Sequence, residues 1–356
     1  MKISSMHLRN VGPIKDAQVN FGDLTILLGS NDLGKSIFLQ LFRLALDSGY
    51  INDELTKYGI DWNGSLSLFL ESYLGAGLQN VWQTNSSIKL NNKQINLKQI
   101  VQKPSKATEP AVFYIPAQRL LMFSHNWIKP FTEYRYMDPF TIKDFSETLR
   151  RAVDHGMMKK RNYLKPWLLE AIGKDIFGNL NLDIVTHSFR KSIVLGDNKK
   201  DTVIPIDSCS IGQRAFVPLF LGIQWLLHKA ADKKDNSIKW VIIEEPELGL
   251  QMCTHSSLFS SIFHTLFLLI TELLQKGYNV CISTHSEQVF ALAWLARYLK
   301  SCSKYPSGLI TWLQPNNSTE LEDSVRYLCK RNVMVYEFDN SGHAADISQE
   351  YCHSVM

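Results

Sequence analysis

Residues 24–36 read Leu-Thr-Ile-Leu-Leu-Gly-Ser-Asn-Asp-Leu-Gly-Lys-Ser, and the fold follows from them. The first five, apolar apart from Thr25, are expected to form a buried strand. The next eight, Gly29, Ser30, Asn31, Asp32, Leu33, Gly34, Lys35 and Ser36, fit the phosphate-loop pattern G-x-x-x-x-G-K-[ST]. Two glycines let the backbone turn tightly, so that its N–H groups point inward at phosphate oxygens. Lys35 brings a positive charge to the β and γ phosphates, and Ser36 offers a hydroxyl to Mg²⁺. Ile37, Leu41, Leu44 and Ala45 then recur at helical spacing, so a helix starts at Lys35 and aims its N-terminus at the same anion. Strand, loop and helix together predict a nucleoside triphosphate site.

Further strands are expected on the N-terminal side at Met1–Leu8 and Ala17–Phe21, separated by polar turns. On the C-terminal side, Ala111–Ile115 is a continuous apolar run. From residue 203 the pattern alternates. Helices are expected over Gly212–Ala231, Met252–Gln275 and Gln288–Leu299. Strands are expected at Trp240–Ile243, Asn279–Thr284, Leu309–Leu313 and Val333–Phe338. This alternation predicts an α/β sheet. Residues 50–110 read as a strand-rich elaboration, 120–202 as a helical insertion lobe and 341–356 as a C-terminal tail. Heptads are not sustained, so no long coiled-coil arm is expected.

The chain has 356 residues, 45% hydrophobic and 20% charged, a globular balance that can bury a sizeable core. A formal charge of +4 excludes a strongly basic packaging protein. Six basic residues and Asp154 lie between 150 and 165. A solvated helix face is the plainer reading of this cluster, and a nucleic-acid phosphate contact the sharper one. The six cysteines form no C-x-x-C pair, which argues against structural zinc. No apolar signal segment opens the chain and no apolar run is long enough to span a bilayer. A soluble, cytoplasmic chain with no membrane partner is expected.

Three later motifs carry chemistry. Trp240-Val241-Ile242-Ile243-Glu244-Glu245-Pro246-Glu247 is a strand ending in carboxylates. One of these can reach the Mg²⁺ shell and another can polarise water. Ser210-Ile211-Gly212-Gln213 precedes a long helix. Capping accounts for it completely, although a serine-capped helix end is also an anion site. Cys281-Ile282-Ser283-Thr284-His285-Ser286 puts an imidazole just beyond a buried strand, at the edge where the phosphate loop lies.

In this order the motifs resemble the ABC-type ATPases of the RecF/SMC/OLD-like branch, which include compact AAA-type ATPases of bacterial anti-phage systems. Leu8-Arg9-Asn10-Val11, Phe21-Gly22-Asp23-Leu24-Thr25 and Tyr114-Ile115-Pro116-Ala117-Gln118-Arg119 are similar to that branch as well. The resemblance covers 1–48, 111–119 and 203–338. It implies an ABC-type head with a mixed sheet, N-terminal antiparallel strands and a discontinuous core over 1–48, 111–119 and 203–340. ATP and Mg²⁺ would be held by Gly29 through Ser36. Glu244 would take the Walker B place at the metal, and Glu245 that of the catalytic base. Gln118 would be a Q-loop residue near nucleotide and metal, and His285 the switch histidine. Ser210, Gly212 and Gln213 would contact the γ-phosphate of a second protomer, giving a homodimer closed on two ATP molecules. Ile211 and Glu244 depart from the transporter pattern but suit this branch. Gln251 stands in place of the D-loop aspartate, which weakens the expected coupling between the two sites.

The resemblance implies a switch that controls a separate effector or nuclease, since the chain has no DxD pair of the TOPRIM kind. A RecF-like repair ATPase is the nearest alternative, and a transporter subunit is a more distant one.

Overall fold

The computed structural model describes residues 3–102, 109–159, 162–187, 190–197, 202–232, 237–249, 258–286 and 319–349. The expected helix at 288–299, the strand at 309–313 and Gln251 lie outside these residues, as do 252–257 of the helix expected from 252.

The N-terminal strands β1 (Ser5–Val11) and β2 (Ile14–Asn20) form an antiparallel hairpin. They are followed by β3 (Leu24–Leu28) and α1 (Lys35–Lys57). Next come α2 (Leu66–Leu74), β4 (Trp82–Leu90), β5 (Lys93–Ile95), α3 (Leu97–Gln102) and β6 (Val112–Ile115). Residues 50–110, expected to be strand-rich, therefore carry helices as well. The apolar spacing of Phe69, Leu70, Tyr73 and Leu74 is helical, and Ser65 caps that helix.

The expected helical lobe at 120–202 contains α4 (Phe140–Asp154) and α5 (Pro166–Asp175). It also contains strands that the sequence reading missed. The short hairpin β7 (Phe123–Ser124) and β8 (Trp127–Ile128) comes first. A three-stranded antiparallel sheet of β9 (Asn181–His187), β10 (Arg190–Asp197) and β11 (Thr202–Pro205) follows. The chain then returns to the core through α6 (Ile211–Ala231), β12 (Trp240–Glu244), α7 (Leu258–Gln275) and β13 (Asn279–Thr284). It continues in α8 (Thr319–Cys329), β14 (Val333–Phe338) and β15 (His343–Asp346).

Among the described residues the main sheet has 10 strands in the order β5-β4-β1-β2-β15-β14-β3-β13-β12-β6. From β14 to β6 all neighbours are parallel, while the β1–β5 side is antiparallel, so the sheet is mixed as expected. The start of the expected tail is instead the strand β15, paired with β14 and β2.

Alternation along the parallel strands divides the core in two. Ile26, Val241, Ile243, Val280 and Ile282 face one side, where α4, α5, α6 and α7 pack. Leu27, Trp240, Ile242 and Cys281 face the other, against Phe38, Leu41 and Phe42 of α1 and Phe69 of α2. Burial on both faces explains the continuous apolar runs that marked these strands in the sequence. No helix among the described residues is long and apolar enough to cross a membrane.

Candidate functional site

Strand register decides what meets at the sheet edge. Leu28, the last residue of β3, pairs with Thr284 of β13, whose Ser283 pairs with Glu244 of β12; Ile243 pairs with Ile115 of β6. The four strands thus end level. The loops that follow them carry the phosphate loop, His285, Glu245 and Gln118 respectively.

The phosphate loop is shaped by its glycines. Gly29 and Gly34 have φ values of 145° and 91°, and Asp32 is also left-handed at 66°. A Cβ on Gly29 would meet the Phe338 carbonyl at 2.6 Å, and one on Gly34 would meet the Ile14 side chain at 2.6 Å. Neither position therefore admits a larger residue. Gly34 caps α1 without a side-chain hydrogen bond, so the first N–H groups of that helix have no side-chain partner at the cap.

Lys35 is buried and donates through Nζ to the carbonyls of Gly29 (2.6 Å) and Ser30 (2.7 Å). Burial lowers its pKa, and Glu245, Glu247, Glu244 and Asp32 oppose that shift. Ser30, Asn31, Asp32 and Ser36 are exposed at the edge, and Leu33 is half-buried.

Glu244 is 1% exposed. Its Oε2 accepts from the Ala117 N–H at 3.2 Å, while Oε1 is buried with no hydrogen-bond partner among the described residues. Burial raises its pKa. The Ser36 and Tyr114 hydroxyls and the Ala117 N–H act in the opposite sense. An orphaned carboxylate oxygen beside a serine hydroxyl suits a hard divalent cation, which takes oxygen ligands. Ser36 and Glu244 would hold Mg²⁺ here, and the ion would supply charge neutralisation at the phosphates.

Glu245 has φ +41°, the left-handed region for a residue with a side chain. Such backbone costs on the order of 1–3 kcal/mol and gathers at functional sites. His285 Nδ1 lies 3.8 Å from Glu245 Oε1 and 3.5 Å from Glu247 Oε1. Glu247 is buried, and its Oε1 also accepts from the Thr284 hydroxyl and, at 3.4 Å, from the His285 N–H. Glu247 thus orients the imidazole next to Glu245. The sequence reading did not single out this role, because only the fold shows which carboxylate faces His285. Gln118 is exposed at the cap of the 3₁₀ turn Arg119–Met122, on the same edge.

Ser210 caps α6 and forms a complete capping box. Its Oγ accepts from the Gln213 N–H (3.3 Å), and Gln213 Oε1 accepts from the Ser210 N–H (3.1 Å). Gln213 Nε2 also donates to the Ile176 carbonyl at 3.4 Å. Gly212 is half-buried and Ile211 is 64% exposed. Capping and the Ile176 contact account for the side-chain bonds that Ser210 and Gln213 make among the described residues.

In the basic cluster, Arg150 and Arg151 pair with Glu147, Arg150 also pairs with Asp154, and Lys165 pairs with Glu272. These four contacts fit the plainer reading of the cluster; residues 160 and 161 lie outside the described set.

Residues 1–109 match the protein family described as an AAA ATPase domain. The matched stretch contains the phosphate loop and α1, whereas Glu244, Glu245, His285 and Ser210 lie beyond it. No curated protein matches the chain. Among solved structures the chain is similar to the SMC head domain from Thermotoga maritima, at 11% identity and a TM-score of 0.39, covering 99% of this chain and 100% of that one. It is also similar to the Smc head domain from Pyrococcus furiosus bound to the C-terminal domain of ScpA. There the identity is 10% and the TM-score 0.43, over 98% and 96% of the two chains. For the recombination mediator protein RecF the values are 12% and 0.38, over 97% and 98%.

Proposed function

We propose that the chain is an ABC-type ATPase switch: two copies close head-to-tail on two Mg²⁺-ATP molecules, and hydrolysis reopens them. The observation that carries this reading is the level ending of β3, β13, β12 and β6, which gathers a phosphate loop, a histidine and two carboxylates at one edge.

Lys35 and the N-terminus of α1 bind the β and γ phosphates. Ser36 and Glu244 hold the metal. Glu245 accepts the proton of the attacking water, and His285, steadied by Glu247, senses the γ-phosphate beside it. Gln118 approaches from β6. Ser210, Gly212 and Gln213 of the second copy close over the γ-phosphate. The discontinuous core over 1–48, 111–119 and 203–340 carries this cycle, and the lobe at 120–202 transmits it to a separate effector or nuclease. An anti-phage role follows from the family resemblance of the motifs.

The test is the scattering mass of the wild-type chain, with and without Mg²⁺ and a non-hydrolysable ATP analogue. A doubled mass with nucleotide supports the sandwich. A chain that binds the analogue tightly and stays monomeric overturns it. Co-purification of the native complex identifies the effector.

A further inference from the structure

Arg119 is 0% exposed, yet every hydrogen bond its guanidinium makes at close range goes to a backbone carbonyl. Nη1 donates to Pro116 (2.9 Å) and Glu244 (2.7 Å), Nη2 to Glu245 (2.8 Å) and Nε to Ala215 (3.2 Å). A buried guanidinium is costly unless its donors are used, and its planar fork fixes the directions of the groups it binds. Here one fork joins three segments: the turn after β6, the carboxylate end of β12 and the second turn of α6.

The Glu245 carbonyl is held twice, by Arg119 and by the Leu248 N–H at 2.9 Å. Glu245 is the residue with φ +41°, so the clamp sits on the strained peptide itself. Burial pushes the guanidinium pKa down to about 10 against the pull of Glu247, Glu244 and Glu245, so Arg119 remains charged at neutral pH.

We propose that Arg119 is a positioning residue that holds the Glu245 backbone in its left-handed conformation and couples it rigidly to α6, the helix whose N-terminus carries Ser210–Gln213. Its donors all go to backbone carbonyls, so it acts through the Glu245 peptide. Movement of the α6 end on closing would pass through one side chain to the peptide that aims the water-activating carboxylate. This inference rests on the assignment of Glu245 as base.

The test compares Arg119→Lys and Arg119→Gln with wild type, reading nucleotide affinity and kcat separately. Lysine keeps the charge but cannot span four carbonyls. Both variants are expected to bind Mg²⁺-ATP within about twofold of wild type and to hydrolyse it about 10- to 100-fold more slowly, the loss expected from a small misplacement of a reacting group. Wild-type kcat in either variant overturns the inference, and so does a parallel fall of kcat and affinity.

Amide hydrogen exchange in the wild-type chain covers the case in which neither variant folds. On addition of Mg²⁺ and a non-hydrolysable ATP analogue, protection of 244–248 and of 211–216 should rise together. A change confined to one segment overturns the coupling. If the wild-type chain hydrolyses no ATP, the base assignment fails, whereas the exchange experiment still decides whether Arg119 joins the two segments.

Discussion

The N-termini of α1 and α6 are the two helix ends proposed to meet a phosphate, yet they are built in opposite ways. At α1, Gly34 provides no side-chain cap, and Lys35 folds back onto the Gly29 and Ser30 carbonyls, contacts that a triphosphate can replace. At α6, Ser210 and Gln213 satisfy each other in a complete capping box, and Ile211 projects into solvent. Within one chain the first end is open for a ligand and the second is already closed. On the proposed function, the phosphate loop would be a site in its own right, whereas the α6 end would gain a phosphate role only when a second molecule brings one. An exposed isoleucine beside that cap is what such a contact would bury.

The largest effect that would break this contrast is on chemistry. Glu245→Gln is expected to lower hydrolysis about 10²- to 10⁴-fold, the usual contribution of a positioned base. It should also leave an ATP-bound dimer that persists in size-exclusion chromatography. A variant with wild-type turnover would remove Glu245 from the site. Next comes binding. Lys35→Ala should weaken ATP affinity by about 2–5 kcal/mol, as expected for truncating one partner of a buried charge contact, and calorimetry measures it. Retained tight binding would show that the open helix end is not the nucleotide site.

The third effect separates the lobe from both helix ends. Glu147 of α4 accepts from Arg150, Arg151 and the Phe131 N–H, and Arg151 also reaches the Tyr58 hydroxyl at the end of α1. Burial works against the charged form, but these hydrogen bonds outweigh it and hold the pKa near about 2. A carboxyl depressed in the folded state contributes stability above its unfolded pKa of about 4.3 and loses it as pH falls toward the folded value. The loss expected between about pH 4.5 and pH 2 is about 3 kcal/mol. In Glu147→Gln the acid dependence over that window should shrink, with ATP affinity at neutral pH unchanged. An equal acid dependence in wild type and variant, read by denaturant titration, would show that Glu147 does not fasten the lobe.

The parts of the fold that sequence could reveal are those whose physics is local. β13 and β14 fall on their expected bounds, and β12 extends one residue further, because strands buried on both faces need unbroken apolar runs. β15 reads as a polar turn and tail, and pairing with β14 and β2 makes it a strand regardless of propensity. β9 and β10 in the lobe were missed although β-branched and apolar residues concentrate at Leu182, Ile184 and Val185 and at Ile193–Leu195, a strand signal available in the sequence. The phosphate loop was legible because its residues are contiguous. The partnerships of Arg119 with Glu244 and Glu245, and of Glu247 with His285, join segments far apart in the chain, and composition cannot show which carbonyl or imidazole a buried charge faces.

The smallest effect discriminates best between the two helix ends. Ser210→Ala removes a cap and should cost about 1 kcal/mol of stability whatever else Ser210 does. A shift in thermal midpoint alone therefore cannot distinguish capping from phosphate contact. Gln213→Glu can, since glutamate at this position completes a capping box as well as glutamine does. It also favours the positive end of the helix, which offsets the lost Gln213 Nε2 bond to the Ile176 carbonyl, so stability should stay within about 1 kcal/mol of wild type. The added negative charge would, however, face an incoming γ-phosphate. If the α6 end closes on a second protomer's nucleotide, Gln213→Glu keeps the stability and the ATP affinity of the phosphate loop but loses ATP-driven association. If the box only caps the helix, association is unchanged and the contrast between the two ends reduces to one site and one well-capped helix.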